Sequence, residues 1–460
     1  MTLLEKIIEP RFQIDDGRKR FSDKDIIKLA YPILIDMLFA LLVGMVDTLM
    51  VSYAGEAAVS GVSLVNQVNA MFIFVFGSVG QGGGVVISQY VGSSEREKGI
   101  TAASQLLNVI TVISVILMVI SLTMRNALLG FLYPSVEASV MEASLKYLVV
   151  TAMSYPFIAM YNASAGMFRA MGDTKTNMKA SIVVNIINVV GNAVGIFYFK
   201  AGVLGVAVPT LVSRMYGAVY LMIKGSNRER LIHFSLKKVF MFDWSMIKRI
   251  FHIAIPSGVE NLLFQFVKVG MTSILATFST SQIAANGVAQ TFWNMSFLFT
   301  NTFGMTCMTI VGQCMGAKDP DAADYYLQKL TRMAYVGGTV WNLIIFTVSP
   351  FILKGFSLTE ETRQLAVFVI HMDNIFNMLF CPMAYTLSGG LKAAGDVHFN
   401  MFASIFSDVV IRIVVAIVFA LKLNLGLIGV TLGMCLSWVV KASLMFMRYK
   451  SSKWKTFRVI

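Results

Sequence analysis

Charged residues are scarce in this sequence. Asp, Glu, Lys and Arg make up only 14% of its 460 residues, whereas 56% are apolar or aromatic. A soluble domain carries about a quarter of charged residues, so the composition excludes an ordinary soluble enzyme. At about 20 apolar residues per bilayer crossing, the supply suffices for about 13 crossings. The sequence therefore predicts a polytopic membrane protein.

Catalytic and metal-binding motifs are missing as well. The chain contains no GxxxxGK[ST], HExxH or GxSxG segment, and its four histidines do not cluster. All four cysteines lie in apolar stretches and none forms a CxxC pair, which predicts buried thiols; they are Cys307, Cys314, Cys381 and Cys435. We therefore expect neither an ATP-driven pump nor an enzyme, and no cofactor.

Twelve apolar stretches are long enough to cross a bilayer as helices. They fall at residues 31–53, 60–88, 102–124, 145–168, 180–199, 203–223, 250–278, 284–311, 334–356, 366–391, 401–421 and 427–447. The charged residues 1–30 lack the short apolar core of a signal peptide. We expect the N-terminus to stay uncleaved in the cytoplasm.

Basic residues are distributed unequally between the two sides of this topology. Most of the 38 Lys and Arg lie in the predicted cytoplasmic connections and termini, including 1–28, 224–249 and 441–460. The opposite loops hold Arg125, Lys146, Lys200, Lys354, Arg363 and Lys422. This positive-inside bias predicts a bacterial inner (plasma) membrane protein with both termini cytoplasmic. The net charge of +13 is then explained by basic residues that orient the protein in the membrane and contact anionic lipids. No nucleic-acid partner is expected.

The sequence repeats internally at an offset of 224 residues. Pro32 corresponds to Pro256, Asp36 to Glu260, Gly80 to Gly304, and Gln89-Tyr-Val-Gly92 to Gln313-Cys-Met-Gly316. Each copy holds six spans and enters the membrane from the same side, which is typical of transporters built from parallel repeats. We predict an all-α fold of twelve transmembrane helices in two pseudo-symmetric six-helix lobes that rock against each other.

The predicted domain limits follow from the longest polar interruption after the N-terminus. The limits are a basic cytoplasmic segment 1–24, an N-lobe 25–224, a cytoplasmic linker 225–249, a C-lobe 250–450 and a basic tail 451–460.

Placing a charged side chain at mid-bilayer costs at least about 2.5–3.5 kcal/mol of free energy. An ionisable residue inside a span is therefore expected to have a functional role or a partner. Asp36 and Asp47 lie about three helical turns apart in the first span, nearly on one face. Asp47 lies in the outer half and could trade a proton for another cation; a permanent pairing for packing is the alternative. Asp36 lies near the cytoplasmic end, where a charge reaches water more easily.

Oxygen-bearing side chains in the fifth and sixth spans could complete a site around Asp47. Asn188 and Asn192 are one turn apart on one helix face, and Thr210 adds a hydroxyl. With the carboxylate they form a set of hard oxygen ligands that suits Na⁺, or neutral partners for a proton on Asp47. The alternative is that they bond helices together.

The second half of the chain is polar at different positions. Glu260, the counterpart of Asp36, suggests an acid at the cytoplasmic gate of each lobe. Asp408 and Arg412 are spaced i, i+4 and favour a structural ion pair. His371 and Asp373 open the tenth span near the outer surface, where we expect them to be solvated.

The chain resembles the multidrug and toxic compound extrusion (MATE) family over about residues 25–450. The resemblance rests on Pro32 followed by Asp47-Thr48, on the two Gln-x-x-Gly segments, and on two Gly-Asp turns that follow Arg169 and Lys392. We expect those two basic residues to serve loop structure and headgroup contact. The resemblance implies two six-helix lobes in a V shape and cation-driven export of amphipathic, often cationic molecules.

The resemblance also implies roles for particular residues. Asp47 is similar to the family's coupling acid, and the cation site for H⁺ or Na⁺ would comprise Asp47, Asn188, Asn192 and Thr210. Helix bends are expected at Pro32 and at its counterpart Pro256. The predicted substrate-binding residues are Asp47, Asn162, Asp36 and Glu260. Some members carry Asp where this chain has Asn192.

We therefore predict a monomeric secondary antiporter for small amphipathic or cationic molecules in the lipid bilayer, with H⁺ or Na⁺ as coupling ion and no cofactor. The alternative is a flippase for lipid-linked precursors of a related many-helix fold. Its pyrophosphate-bearing substrate would need the positive charge of Arg214, Lys268 and Arg412. The lack of catalytic motifs disfavours a membrane enzyme, and two parallel repeats disfavour a receptor.

Overall fold

The computed structural model describes residues 3–356 and 358–460. These residues form helices joined by short turns, and no β-strand occurs among them. Helices predominate because lipid offers no hydrogen-bond partners, so every backbone N–H and C=O must bond within its own segment. The prediction of an all-α polytopic membrane protein is confirmed.

The long helices of the first half are numbered here in chain order. They are α1 (Asp23–Ser52), α2 (Glu56–Gly92), α3 (Arg96–Thr123), α4 (Ala138–Met153), α5 (Tyr155–Ala170), α6 (Thr174–Ala193) and α7 (Leu204–Gly225). A π-helical turn, Val194–Tyr198, extends α6.

The second half continues the numbering. Its helices are α8 (Trp244–Leu275), α9 (Thr280–Ser296), α10 (Leu298–Gly316), α11 (Pro320–Leu353), α12 (Glu360–Cys381), α13 (Leu387–Ala394), α14 (Val397–Ser404), α15 (Arg412–Ala416) and α16 (Gly426–Lys450). Three π-helical turns join the pieces of the last spans, at Pro382–Thr386, Ile405–Ile411 and Ile417–Lys422.

The described helices are consistent with twelve spans. Ten segments are long and apolar enough to cross a membrane, and α4 with α5, bent by 45°, forms an eleventh. The predicted span 284–311 corresponds to α9 and α10, which meet at Phe297. This predicted span is therefore made of two consecutive helices.

The described chain divides into two compact units. The N-terminal unit comprises Tyr31–Gly258, and the C-terminal unit comprises Val259–Ile460 together with the chain up to Ala30. The chain therefore passes between units inside α1 and α8. Each passage lies within three residues of a proline, Pro32 or Pro256, where the missing backbone N–H weakens the helix.

The segment predicted as a linker, 225–249, packs on α3 inside the N-terminal unit. Arg96 donates to the Leu231 carbonyl at 3.0 Å, and Gln105 donates to the Lys238 carbonyl at 2.7 Å. These side chains satisfy backbone groups that a loose linker would leave to water.

The residues before α1 are fastened to α11 in the C-terminal unit. Arg18 pairs with Asp319, and Lys329 lies 2.5 Å from Glu9 and 2.6 Å from Asp23. Burial alone would raise the pKa of Glu9, but hydrogen bonds from Lys329 and Tyr325 lower it below its ordinary value.

In each repeat, two helices cross in close contact at a pair of glycines. A Cβ added to Gly166 on α5 would collide with the Gly80 carbonyl on α2, and one added to Gly389 on α13 would collide with the Gly304 carbonyl on α10. The two pairs are related by the sequence offset, so both lobes need glycine where these backbones touch.

The two predicted Gly-Asp turns are present at equivalent places. Gly172 and Gly395 adopt positive φ angles of 81° and 104°, which glycine tolerates without a steric penalty. Asp173 then caps α6 by accepting from the Thr176 N–H at 3.1 Å. The prediction that these segments are turns is confirmed.

Candidate polar site in the N-terminal unit

The structure brings Asp47, Asn188, Asn192 and Thr210 together from α1, α6 and α7. Asn192 Nδ2 donates to Asp47 Oδ1 at 2.9 Å and lies 3.3 Å from Asn188 Oδ1. Asn188 in turn lies 3.2 Å from Thr210 Oγ1. The spacing of one helical turn between the two asparagines therefore places both amides beside the carboxylate.

The Asn188 amide fits its neighbours better when its oxygen and nitrogen are exchanged. Its nitrogen then donates to both Asp47 carboxylate oxygens, at 3.0 and 2.9 Å, and its oxygen accepts from the Thr210 hydroxyl at 3.2 Å. In this orientation two amides donate to one carboxylate, which stabilises its negative charge.

One acceptor of this group is left without a donor. Asn192 is fully buried, and its Oδ1 has no hydrogen-bond partner in the described structure. A buried unpaired carbonyl oxygen is costly, and a bound cation or a protonated acid would supply what it lacks.

Asp47 has no basic partner among the described residues, because no Lys, Arg or His forms an ion pair with it there. Its side chain is half-buried. Asp47 therefore differs from the acids of the C-terminal unit that pair with lysines.

Asp36 lies in a separate place in the same unit. It neighbours Ser181 and Arg169, and its counterpart Glu260 pairs with Lys392 at 2.6 Å. The expectation that Lys392 contacts headgroups is therefore wrong, because its ammonium group pairs with the acid of its own repeat.

Glu260 belongs to a buried charge cluster in the C-terminal unit. Ser404 donates to it at 2.7 Å, and Lys441 lies 3.5 Å from Glu260 and 2.9 Å from Asp408. Arg412 lies 3.5 Å from Asp408, so the predicted pairing is confirmed. Glu260 is thus neutralised by lysines and differs from Asp47.

Lys441 is the member of this cluster that sequence reasoning missed. It was counted with the cytoplasmic tail 441–460, but it lies on α16 and is only 1% exposed. The signal that could have identified it is its position inside the predicted apolar span 427–447.

Asp373 is buried, and the expectation that it is solvated is wrong. It is 4% exposed and lies on α12 beside Cys435, whose Sγ is 3.6 Å from the carboxylate. His371, also predicted to be solvated, is partly buried and stacks on Phe346. The four free cysteines are buried, as predicted.

Two other polar residues of the N-terminal unit have local partners. Asn162, predicted to bind substrate, donates to the Ile158 carbonyl of its own helix at 2.8 Å. Arg214 donates to the Ser154 hydroxyl at 2.6 Å. Neither side chain contacts Asp47 in the described hydrogen bonds.

The chain is similar to known proteins over most of its length. The family described as MatE matches residues 32–194 and 256–418, two segments whose starts are related by the repeat offset. The "Uncharacterized transporter YisQ" of Bacillus subtilis is 26% identical, covering 95% of this chain and 96% of YisQ. The "Probable multidrug resistance protein NorM" of Thermotoga maritima is 25% identical, covering 95% and 94%.

Solved structures share the fold. One of them, described as "Crystal structure of MATE in complex with MaL6", is similar with a TM-score of 0.88 and 19% identity, covering 98% of each chain. At this identity the similarity establishes the two-lobe helical fold alone.

Proposed function

The chain belongs to the MatE family of membrane transporters, and on that premise we propose that it is a secondary active antiporter that exports organic cations or related xenobiotics in exchange for H⁺ or Na⁺. The name of the Thermotoga relative, a probable multidrug resistance protein, supports export of drugs. The observation that carries the proposal is the Asp47 carboxylate, held by two amides and free of any described ion pair.

In the proposed mechanism the coupling ion and the drug compete for one charge. A cation arriving from outside binds Asp47. The Asn188 amide then turns its oxygen towards Asp47, and the oxygens of Asn188, Asn192 and Thr210 become further ligands for Na⁺ or neutral neighbours of a protonated acid. Neutralised Asp47 no longer attracts a cationic drug, which leaves to the outside. The ion-loaded protein then reopens to the cytoplasm.

The driving force sets a limit on export. One unit of pH difference supplies about 1.4 kcal/mol per proton, which is about a tenfold concentration ratio. Exchange at Asp47 alone brings in one monovalent ion per organic cation. The proposal therefore predicts modest drug gradients unless the ion gradient is steep.

The test is export from proteoliposomes under one imposed gradient at a time. The purified protein is reconstituted with a fluorescent organic cation such as ethidium, and either a pH gradient or a Na⁺ gradient is applied. We expect one gradient to drive transport in the wild type and neither to drive it in Asp47→Asn. Thr48→Ala is the matched control, because its hydroxyl bonds only to the Gly44 carbonyl of its own helix among the described contacts. Transport by Asp47→Asn at the wild-type rate would refute the proposal.

A further inference from the structure

The segment Leu236–Trp244, between α7 and α8, presents large apolar side chains that no other part of the described chain covers. Phe240 is 85% exposed and Phe242 is 67% exposed. The other exposed members are Leu236, Met241 and Trp244. Exposed apolar side chains grouped in this way mark a surface that binds a partner.

Polar side chains of α3 hold this segment against one face of the helix. Gln105 donates to the Met241 carbonyl, and Asn108 donates to the Val239 carbonyl. Gln105, Asn108 and Val112 are spaced i, i+3 and i+7, so they lie on one face of α3. Val112 is exposed, so the segment lies on a helix face that is open to the surroundings one turn further along.

That face of α3 lies within the membrane. Val112, Val115 and Val119 on it are exposed and apolar, as side chains that face lipid are expected to be. Asn108 is twelve residues, about 18 Å of helix, beyond Arg96 at the start of α3.

The contacts with Gln105 and Asn108 therefore fall inside the predicted span 102–124. The segment takes the place of lipid over the beginning of this span. Its carbonyls bond to amide side chains there, as backbone groups must where water is absent. Its outward side chains consequently face lipid.

Basic side chains accompany the aromatic ones. Lys237 and Lys248 are exposed and form no ion pair within the described chain. Lys248 Nζ lies 5.9 Å from the centroid of the Trp244 ring, and Trp244 stacks on Phe242 with centroids 6.3 Å apart. Tryptophan beside lysine is typical of the boundary between lipid and water, and exposed lysines there attract anionic headgroups.

We propose that the segment Leu236–Trp244 inserts into the cytoplasmic leaflet of the bilayer and, with Lys237 and Lys248, binds an anionic phospholipid. The aromatic side chains lie among the acyl chains, and the two ammonium groups contact the phosphate. Part of the segment predicted to be a cytoplasmic linker is then a membrane-bound element. The inference concerns lipid binding alone, so it holds whether or not the exchange at Asp47 is correct.

Insertion is tested with a bimane fluorophore attached to Phe240→Cys, since the four native cysteines are buried. The labelled full-length protein is placed in nanodiscs of phosphatidylcholine, part of which carries a doxyl quencher on its acyl chain. We expect quenching about as strong as for a bimane on Val112→Cys, which marks the lipid-facing side of α3. A bimane on Ser226→Cys, which is exposed at the other end of the same linker, should be quenched much less.

Quenching at Phe240→Cys no stronger than at Ser226→Cys would overturn the proposal and leave the apolar surface to a soluble protein partner. All three changed side chains are exposed, so the variants should keep the wild-type unfolding temperature.

The preference for negative charge is tested with the same Phe240→Cys probe. Doxyl-labelled phosphatidylglycerol and doxyl-labelled phosphatidylcholine are compared at equal mole fraction, and phosphatidylglycerol should quench more strongly. Adding Lys237→Gln or Lys248→Gln should reduce the relative affinity for phosphatidylglycerol about fivefold.

Lys200→Gln is the matched control for charge, because it removes an exposed lysine of the same unit from a predicted outer loop. It should leave the preference unchanged. Equal quenching by the two lipids, or an unchanged preference in both Lys237→Gln and Lys248→Gln, would overturn the proposal.

Discussion

The Asn192 side chain donates a hydrogen bond from Nδ2 to Asp47, and its own Oδ1 is buried without a described partner. We predict that Asn192→Leu changes the ion concentration needed for half-maximal transport about tenfold. A Na⁺-coupled protein should need more Na⁺, because a buried oxygen ligand is lost. An H⁺-coupled protein should need less H⁺, because the Asp47 carboxylate loses a hydrogen bond that stabilises its negative charge. The measurement is proteoliposome transport at graded Na⁺ or pH.

Asn185→Leu is the matched control for that variant. Asn185 lies on the same helix, and its described hydrogen bond is to Ser181 at 3.4 Å. Its variant should respond to the ion like the wild type. An equal loss in both variants would mean that Asn192 stabilises α6 and has no part in ion binding.

Asp173 offers a test of pH dependence outside the spans. Burial raises its pKa, but hydrogen bonds from Thr176 and Arg230 outweigh burial and hold the pKa below its usual value of 3.8. A carboxylate with a depressed pKa stabilises the folded state above pH 3.8, and this stabilisation is lost as the pH falls through the lower, folded-state pKa.

We therefore predict that Asp173→Asn, which can still cap α6, lowers stability by about 0.5–1 kcal/mol at pH 7. The difference from the wild type should shrink as the pH falls below 4. Thermal unfolding in detergent at both pH values measures this. A difference that grows on acidification would contradict the assigned ion pair with Arg230.

The N-terminal polar site could be predicted at the level of residues, and the buried C-terminal charges only in part. Asn188 and Asn192 interrupt an apolar run at helical spacing, and the family resemblance linked them to Asp47. Asp373 was placed at the surface because the tenth span was predicted to begin at residue 366. The helix begins at Glu360, so Asp373 lies about 20 Å along it and is buried.

At the scale of helices, the two equivalent contacts between crossing helices, Gly166 with Gly80 and Gly389 with Gly304, can be tested by substitution. We predict that Gly166→Ala and Gly389→Ala each destabilise the protein by about 1–3 kcal/mol, the usual cost of overpacking. The reason is that the added methyl group meets a backbone carbonyl that cannot move aside. Unfolding temperatures of the purified variants measure the effect.

Gly130→Ala is the control, since a Cβ there meets no atom within 4 Å. Alanine should be neutral or stabilising at this helical position, by up to about 1 kcal/mol. Similar destabilisation in all three variants would show that the crossings need no close approach.

The elements themselves were largely predictable because each span is a continuous apolar run. Some of the breaks inside them were not. The interruption at Phe297 has no proline or charge at the break, whereas the bend between α4 and α5 coincides with Pro156 in the first turn of α5. Among the π-helical turns of the last spans, Pro382–Thr386 begins at a proline, whereas Ile405–Ile411 and Ile417–Lys422 have no signal in the apolar pattern.

For the whole molecule, the distribution of basic residues predicts which loops face the cytoplasm. We expect Ser135→Cys to react with a membrane-impermeant maleimide in intact cells, and Ser226→Cys to react only after the membrane is permeabilised. Both serines are exposed, and the four native cysteines are buried, so background labelling should be low. Reaction of Ser226→Cys in intact cells would contradict the predicted orientation.

The most direct test of competition at Asp47 is displacement of a bound organic cation by the coupling ion. Purified protein is loaded with ethidium, and the bound fraction is followed by fluorescence anisotropy while Na⁺ is added or the pH is lowered. In the wild type, one of these ions should release the bound cation. In Asp47→Asn, ethidium should bind more weakly and no longer respond to that ion. Displacement by the same ion at the same concentration in Asp47→Asn would contradict the account.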